Sequence, residues 1–155
     1  VWRQLIAQEC PEAEAAPGAP PDAVAEAERR LGHPLPDPLR SLLLECDGIT
    51  GAYGIGVVWD SDTVARENGF FRTWSEFREL YMPFGHLLFF GDDGGGDRFA
   101  LPVDPVKDDV YAWDHEDDSR VWLTGDLETY VRRALLADAR GEDLRNPRSA
   151  IPESP

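Results

Sequence analysis

The chain has 155 residues, 42% of them hydrophobic and 10% aromatic, enough for one domain to bury a core without metal or disulfide staples. Thirty acidic residues against fifteen basic ones give a formal net charge of -15, which disfavours nucleic-acid phosphates and anionic membranes and favours a cationic partner. The two cysteines, Cys10 and Cys46, show no ligand spacing, which argues against a disulfide framework and for a reducing, cytoplasmic setting. No apolar run is long enough to span a bilayer, and no secretory leader is recognised.

Residues 1–10 read as a short helix with Trp2, Leu5 and Ile6 on one face. Residues 11–21 read as an extended linker, because Pro17, Pro20 and Pro21 oppose the helix that the alanines would favour. A helix is expected over 22–31, capped by Asp22 and ended by Gly32, with Val24, Ala27, Glu28 and Leu31 on one face. After the Leu35-Pro36 turn, Asp37 is an N-cap and Pro38 a first helical residue. The helix they start carries the apolar stripe Leu39, Leu42, Leu43 and Cys46, and Gly48 stops it. The glycine-rich residues 51–56 lack both the Lys-Ser or Lys-Thr of a phosphate loop and a G-x-G-x-x-G pattern, so they read as an approach to a strand over 57–59. Asp60 or Ser61 then caps a short helix through Arg66, closed by Asn68-Gly69. Thr73-x-x-Glu76 is a capping box for another helix, with Trp74, Phe77, Leu80 and Tyr81, that ends before Pro83.

From Pro83 to Trp122, apolar runs alternate with glycine- and carboxylate-rich turns, the pattern of an antiparallel meander. Residues 87–90 are continuously apolar, as in a central strand covered on both faces. Residues 98–101 pair back. In 110–114, Tyr111 and Trp113 share one face, Val110 and Ala112 the other. Residues 120–123 complete the sheet. Thr124 or Asp126 caps a last helix to about Ala139, buried through Leu127, Tyr130, Val131, Ala134 and Leu135, and Gly141 ends it. The expected division is a helix and linker over 1–21, an α+β domain over 22–140, and a polar tail over 141–155.

Two carboxylate-rich turns are the candidates for chemistry. Asp92, Asp93 and Asp97 sit around three glycines, but the alternating ligands and closing Glu of an EF-hand loop are missing. A turn whose aspartates bond their own backbone accounts for the same residues. Asp114, His115, Glu116, Asp117 and Asp118 could serve a divalent cation or a general acid–base step, but neighbouring residues at a strand end point in alternate directions. His115 reads instead as a turn residue bonded to a neighbouring carboxylate. No nucleophile motif is present, the arginines form no stripe for nucleic acid, and Trp59, Trp74, Trp113 and Trp122 read as core.

Several motifs, taken in order, resemble a known family. Leu31-Gly32-His33-Pro34-Leu35-Pro36, followed by Leu39-Arg40-Ser41-Leu42-Leu43 and Asp47-Gly48, looks like the opening signature of the SUKH superfamily in its Smi/Knr-type branch. Leu88-Phe89-Phe90-Gly91-Asp92, Gly94-Gly95-Gly96-Asp97 and Phe99-Ala100 resemble its central hairpin. Tyr111-x-Trp113-Asp114-His115-Glu116 resembles its next strand and turn, and Leu127-Glu128-x-Tyr130 its closing helix. Asp47 stands where Asn is common in that family. The resemblance implies helices packed on a bent antiparallel sheet, no enzymatic activity and no cofactor. It implies a protein partner: a toxin domain, often a nuclease or deaminase, for bacterial immunity proteins, or a cell-wall regulatory partner for fungal relatives. Without long arms, the chain fits the immunity type better. The expected contact residues are Asp92, Asp93, Asp97, Asp114, Glu116, Asp117 and Asp118, flanked by an exposed aromatic anchor. A monomer is expected, with no nucleic-acid or membrane partner. The alternatives are a regulatory adaptor for a cellular protein and a metal-dependent enzyme built on the His115 cluster.

Overall fold

The computed structural model describes residues 1–144; the part of the expected polar tail from 145 on lies outside the described residues. The described residues form an α+β domain of six helices and two antiparallel sheets. The small sheet has three strands in chain order: β1 (Glu14–Ala15), β2 (Ile49–Thr50) and β3 (Gly56–Val58). The larger one is the expected meander: β4 (Leu87–Asp92), β5 (Arg98–Pro102), β6 (Val110–Trp113) and β7 (Arg120–Thr124), also in chain order. Register shifts at Phe89/Gly91 and at Val110/Tyr111 bend it.

The N-terminal helices follow from their apolar stripes. α1 (Trp2–Glu9) buries Trp2, Leu5 and Ile6. α2 (Pro21–Leu31) ends at Gly32 in the left-handed region. α3 (Asp37–Glu45) buries Leu39, Leu42 and Leu43 completely, with Cys46 beyond its end. Asp22 and Asp37 do not cap these helices. Pro20 and Pro36 occupy the cap positions, and the aspartates lie in the first turns, where a negative charge still meets the positive end of the dipole. The proline-rich stretch before α2 is extended, as expected, but it also supplies β1, whose Ala15 pairs with Ile49.

Two helical expectations in the middle of the chain are overturned. α4 (Ser61–Thr73) is capped by Asp60, which accepts from the Thr63 amide at 2.7 Å, but it runs straight through Asn68-Gly69. Asn68 is 1% exposed. Its amide group donates to the Phe89 carbonyl at 2.8 Å, and its side-chain oxygen accepts from the Phe89 N–H at 2.8 Å. Those bonds reward Asn68 for staying helical. The capping box at Thr73 also fails to form. The Thr73 hydroxyl donates back to Gly69 O at 2.7 Å, and α5 (Ser75–Leu80) begins after Trp74 without a side-chain cap.

β4 is buried along almost its whole length, as its apolar run implies, yet it is the terminal strand of its sheet. Its outer edge finds other partners: Asn68 at Phe89, the Arg72 guanidinium on Leu87 O at 2.9 Å, and the Trp59 amide on Phe90 O at 2.7 Å. An edge closed this way offers no template for another chain. Close approach demands glycine at 91, where a Cβ would stand 2.2 Å from the Val57 carbonyl oxygen.

Each face of the meander carries its own layer. On one face Phe89 and Trp113 pack edge-on against Phe71 of α4 and Phe84. Arg98 and Arg120 lie over this cluster, each with its guanidinium carbon 4.7 Å from a ring, Phe71 and Phe84 respectively. On the other face α6 (Leu127–Arg140) brings Tyr130 against Phe90 and Phe99. Asp126 caps α6 by accepting from the Thr129 amide at 2.7 Å, and Gly141 closes it in the left-handed region.

Candidate functional site

The β4–β5 turn and the β6–β7 turn are neighbours because β5 and β6 are paired, with Arg98 opposite Trp113. The residues just beyond that pair, Asp97 and Asp114-His115, therefore meet. Asp97 Oδ1 accepts from the His115 amide at 3.0 Å and from His115 Nδ1 at 2.6 Å. A carboxylate that close requires the proton on Nδ1. Gly96 leaves room for the ring: a Cβ there would stand 2.9 Å from His115 Cε1. The Asp97 bond, together with the charges of Asp97, Glu116 and Asp114, raises the imidazole pKa above its ordinary value.

The seven expected contact residues separate by environment. Asp97 is buried. Asp118, with a positive φ of 61°, turns its side chain inward, where it is 15% exposed. Its carboxylate accepts from the Trp113 indole at 2.7 Å, the Met82 amide at 2.9 Å and Arg120 at 3.1 Å. Burial opposes ionisation of Asp118, but these donors outweigh it and hold its pKa below the ordinary value. Asp92 is half-buried and accepts from the Trp59 indole at 2.6 Å and from the Gly94 amide at 2.8 Å. Asp93 and Asp114 accept from the amides two residues on, Gly95 and Glu116, at 2.8 Å each. Asp117 does the same for Ser119 at 2.9 Å. Asp92 and Asp93 thus make the self-bonding turn expected of the first loop, and Asp114 and Asp117 repeat the pattern in the second. Glu116 and Asp117 are the two exposed members of the set.

Exposed apolar residues flank the second turn. Val121 and Trp122 on β7 are 58% and 55% exposed, because β7 is the open edge of the meander. The core reading of the tryptophans therefore holds for Trp59 and Trp113 and fails for Trp122 and Trp74. Residue alternation cannot separate a paired strand from an edge strand, so the sequence carried no signal for the exposure of Trp122. It likewise carried none for Trp59, Met82 and Arg120 as the groups that hold the turns.

Asp97, Asp114 and His115 also bring three possible metal-ligand atoms within 4.8 Å of one another, the only such group among the described residues. The Nδ1 proton already bridges His115 and Asp97 at 2.6 Å, so the geometry is that of a hydrogen-bonded brace between turns. Both cysteines are buried and free, and burial pushes their thiols up, away from nucleophilic character. Among the described residues no helix is long and apolar enough to cross a membrane.

The model of one protein family, described as the SMI1 / KNR4 family (SUKH-1), matches residues 18–133. That span runs from the segment before α2 into α6 and includes both acidic turns. No curated protein matches the chain.

Proposed function

The chain belongs to the SMI1 / KNR4 family (SUKH-1), and from that premise we propose that it is a non-enzymatic protein-binding module, an immunity protein that neutralises a cationic toxin domain of the nuclease or deaminase kind in the cytoplasm. The observation that carries this reading is the joining of two carboxylate-rich turns through Asp97 and His115 on a protein of net charge -15. Glu116 and Asp117, with Asp93 and Asp114 beside them, form the charged rim. Asp92, Asp97 and Asp118 hold that rim in place, and Trp122 is the apolar anchor at its border. A nuclease groove built to hold phosphate presents the opposite charge, and complementary fields speed the encounter of inhibitor and toxin.

The test is to look for a toxin domain encoded beside the gene and to co-express it with this protein. Cells should survive with the intact protein and lose protection when Glu116 and Asp117 are both changed to Lys. Death despite a soluble, folded partner would refute the immunity reading.

A further inference from the structure

Beyond the turns, a cleft of about 440 Å³ opens between the 51–56 loop, the start of the β4–β5 turn and the end of α6. Asp92, Asp93, Asp138, Glu142 and Asp143 line it, and no basic residue does among the described residues. Its floor is apolar, with Ile55, Phe99 and Ala134, and Tyr53, 73% exposed, stands at its mouth.

Asp138 singles this cleft out. It is only 6% exposed, and its Oδ1 is buried with no hydrogen-bond partner, while Oδ2 accepts from the Tyr53 amide at 3.2 Å. It also lies in the last turn of α6, where the helix dipole disfavours an anion. A buried carboxylate that is half-satisfied and set at the negative end of a helix costs stability. A cation delivered from outside would remove each of those penalties. The floor feels the same field: burial, with Asp92 and Asp93 contributing, pushes the Tyr130 phenol well above its ordinary range and keeps it neutral.

We propose that this cleft is the anchor pocket for an arginine side chain of the protein partner, with the guanidinium on Asp138 and its stem on the apolar floor. The proposal rests on the protein-binding reading above. Arginine suits the cleft better than lysine because its planar, weakly hydrated fork can serve several carboxylates while its face lies against Tyr53.

The experiment titrates the full chain with N-acetyl-arginine methylamide, followed by amide NMR shifts, with N-acetyl-citrulline methylamide as the uncharged control. Saturable shifts are expected at Tyr53, Asp138 and Glu142 with the arginine probe and not with citrulline. Asp138→Asn should weaken binding about tenfold or more, since it removes one side of a buried charge pair. The same variant should melt no lower than the parent, because it removes a carboxylate that the free protein holds at a cost. Shifts spread over the acidic surface and unchanged in Asp138→Asn would overturn the pocket. So would binding that appears only after Arg145 and Arg148 are changed to Ala, which would make the chain's own arginines the occupant. Probe binding does not depend on the toxin assay, so failure of the pocket and failure of the immunity reading are separately visible.

Discussion

His115 and Asp118 show how one acidic turn contains opposite electrostatic designs. His115 gains its partner across the turns, so its folded pKa lies above the unfolded value of about 6.5. The stabilisation from that contact is complete below about pH 6.5 and is lost as pH rises through the folded value. NMR titration of the imidazole should show the raised pKa, and Asp97→Asn should bring it back toward the ordinary one. An unchanged midpoint in that variant would remove Asp97 as the cause. Asp118 has the reverse sign. Its folded pKa is lowered, so its contribution is present above about pH 4 and is lost as pH falls through the folded value. Asp118→Ala leaves the Trp113 indole and the Met82 amide without their acceptor and Arg120 with only the carbonyls of Met82 and Pro83, and should cost about 2–4 kcal/mol in chemical denaturation. Asp117→Ala, at an exposed position where the carboxylate accepts from the Ser119 amide, should cost under about 1 kcal/mol.

At the scale of elements, Asn68 does the work of a missing strand. It satisfies both the N–H and the C=O of Phe89 on the outer edge of β4 and so joins α4 to the meander. Asn68→Ala would leave both groups buried and unpaired. The expected loss is about 2–4 kcal/mol, with a melting temperature lower by roughly 5–12 °C. Thermal unfolding checks this, and a loss below about 1 kcal/mol would mean that water or a neighbour replaces the amide. The residue pair Asn68-Gly69 carries the local chemistry of a helix stop. Here two tertiary hydrogen bonds outweigh it, because a buried, unpaired backbone group costs more than an unfavourable helix residue. The failed capping box at Thr73 follows from the same extension: the hydroxyl that would cap a new helix is already bonded within α4.

At the scale of the whole molecule, the -15 charge should appear as rate rather than as affinity alone. Changing Glu116 and Asp117 together to Lys should slow association with the proposed cationic partner by about tenfold at low salt, with a smaller effect on dissociation. Raising ionic strength from about 0.1 to 1 M shortens the screening length from about 10 to 3 Å and should shrink the difference between variant and parent. Stopped-flow association at two salt concentrations measures both effects. Equal rates for the two proteins at low salt would shift the interface away from this turn.

Much of this molecule is decided by short-range chemistry that any reader of the chain can follow. Leu39, Leu42 and Leu43 declare a buried helix face, Gly32 and Gly141 declare helix ends, and alternation with glycine turns declares the order of the meander. These features depend on residues within one or two turns of each other, so local preference and final structure agree. What tertiary structure alone decided is which carboxylates carry the fold and which face outward. Asp92, Asp97 and Asp118 are indistinguishable in the sequence from Asp93, Asp114 and Asp117. Their environments differ only because Trp59, His115 and Trp113 arrive with donors from residues distant in the chain or across a turn. Asp138 was half legible. Its spacing from Val131, Ala134 and Leu135 puts it on the buried stripe of α6, but the cleft it lines exists only once the 51–56 loop and the β4–β5 turn close around that helix end. The energy of a charge depends on what surrounds it in space, and that is set by packing between elements rather than by the order of residues along any one of them.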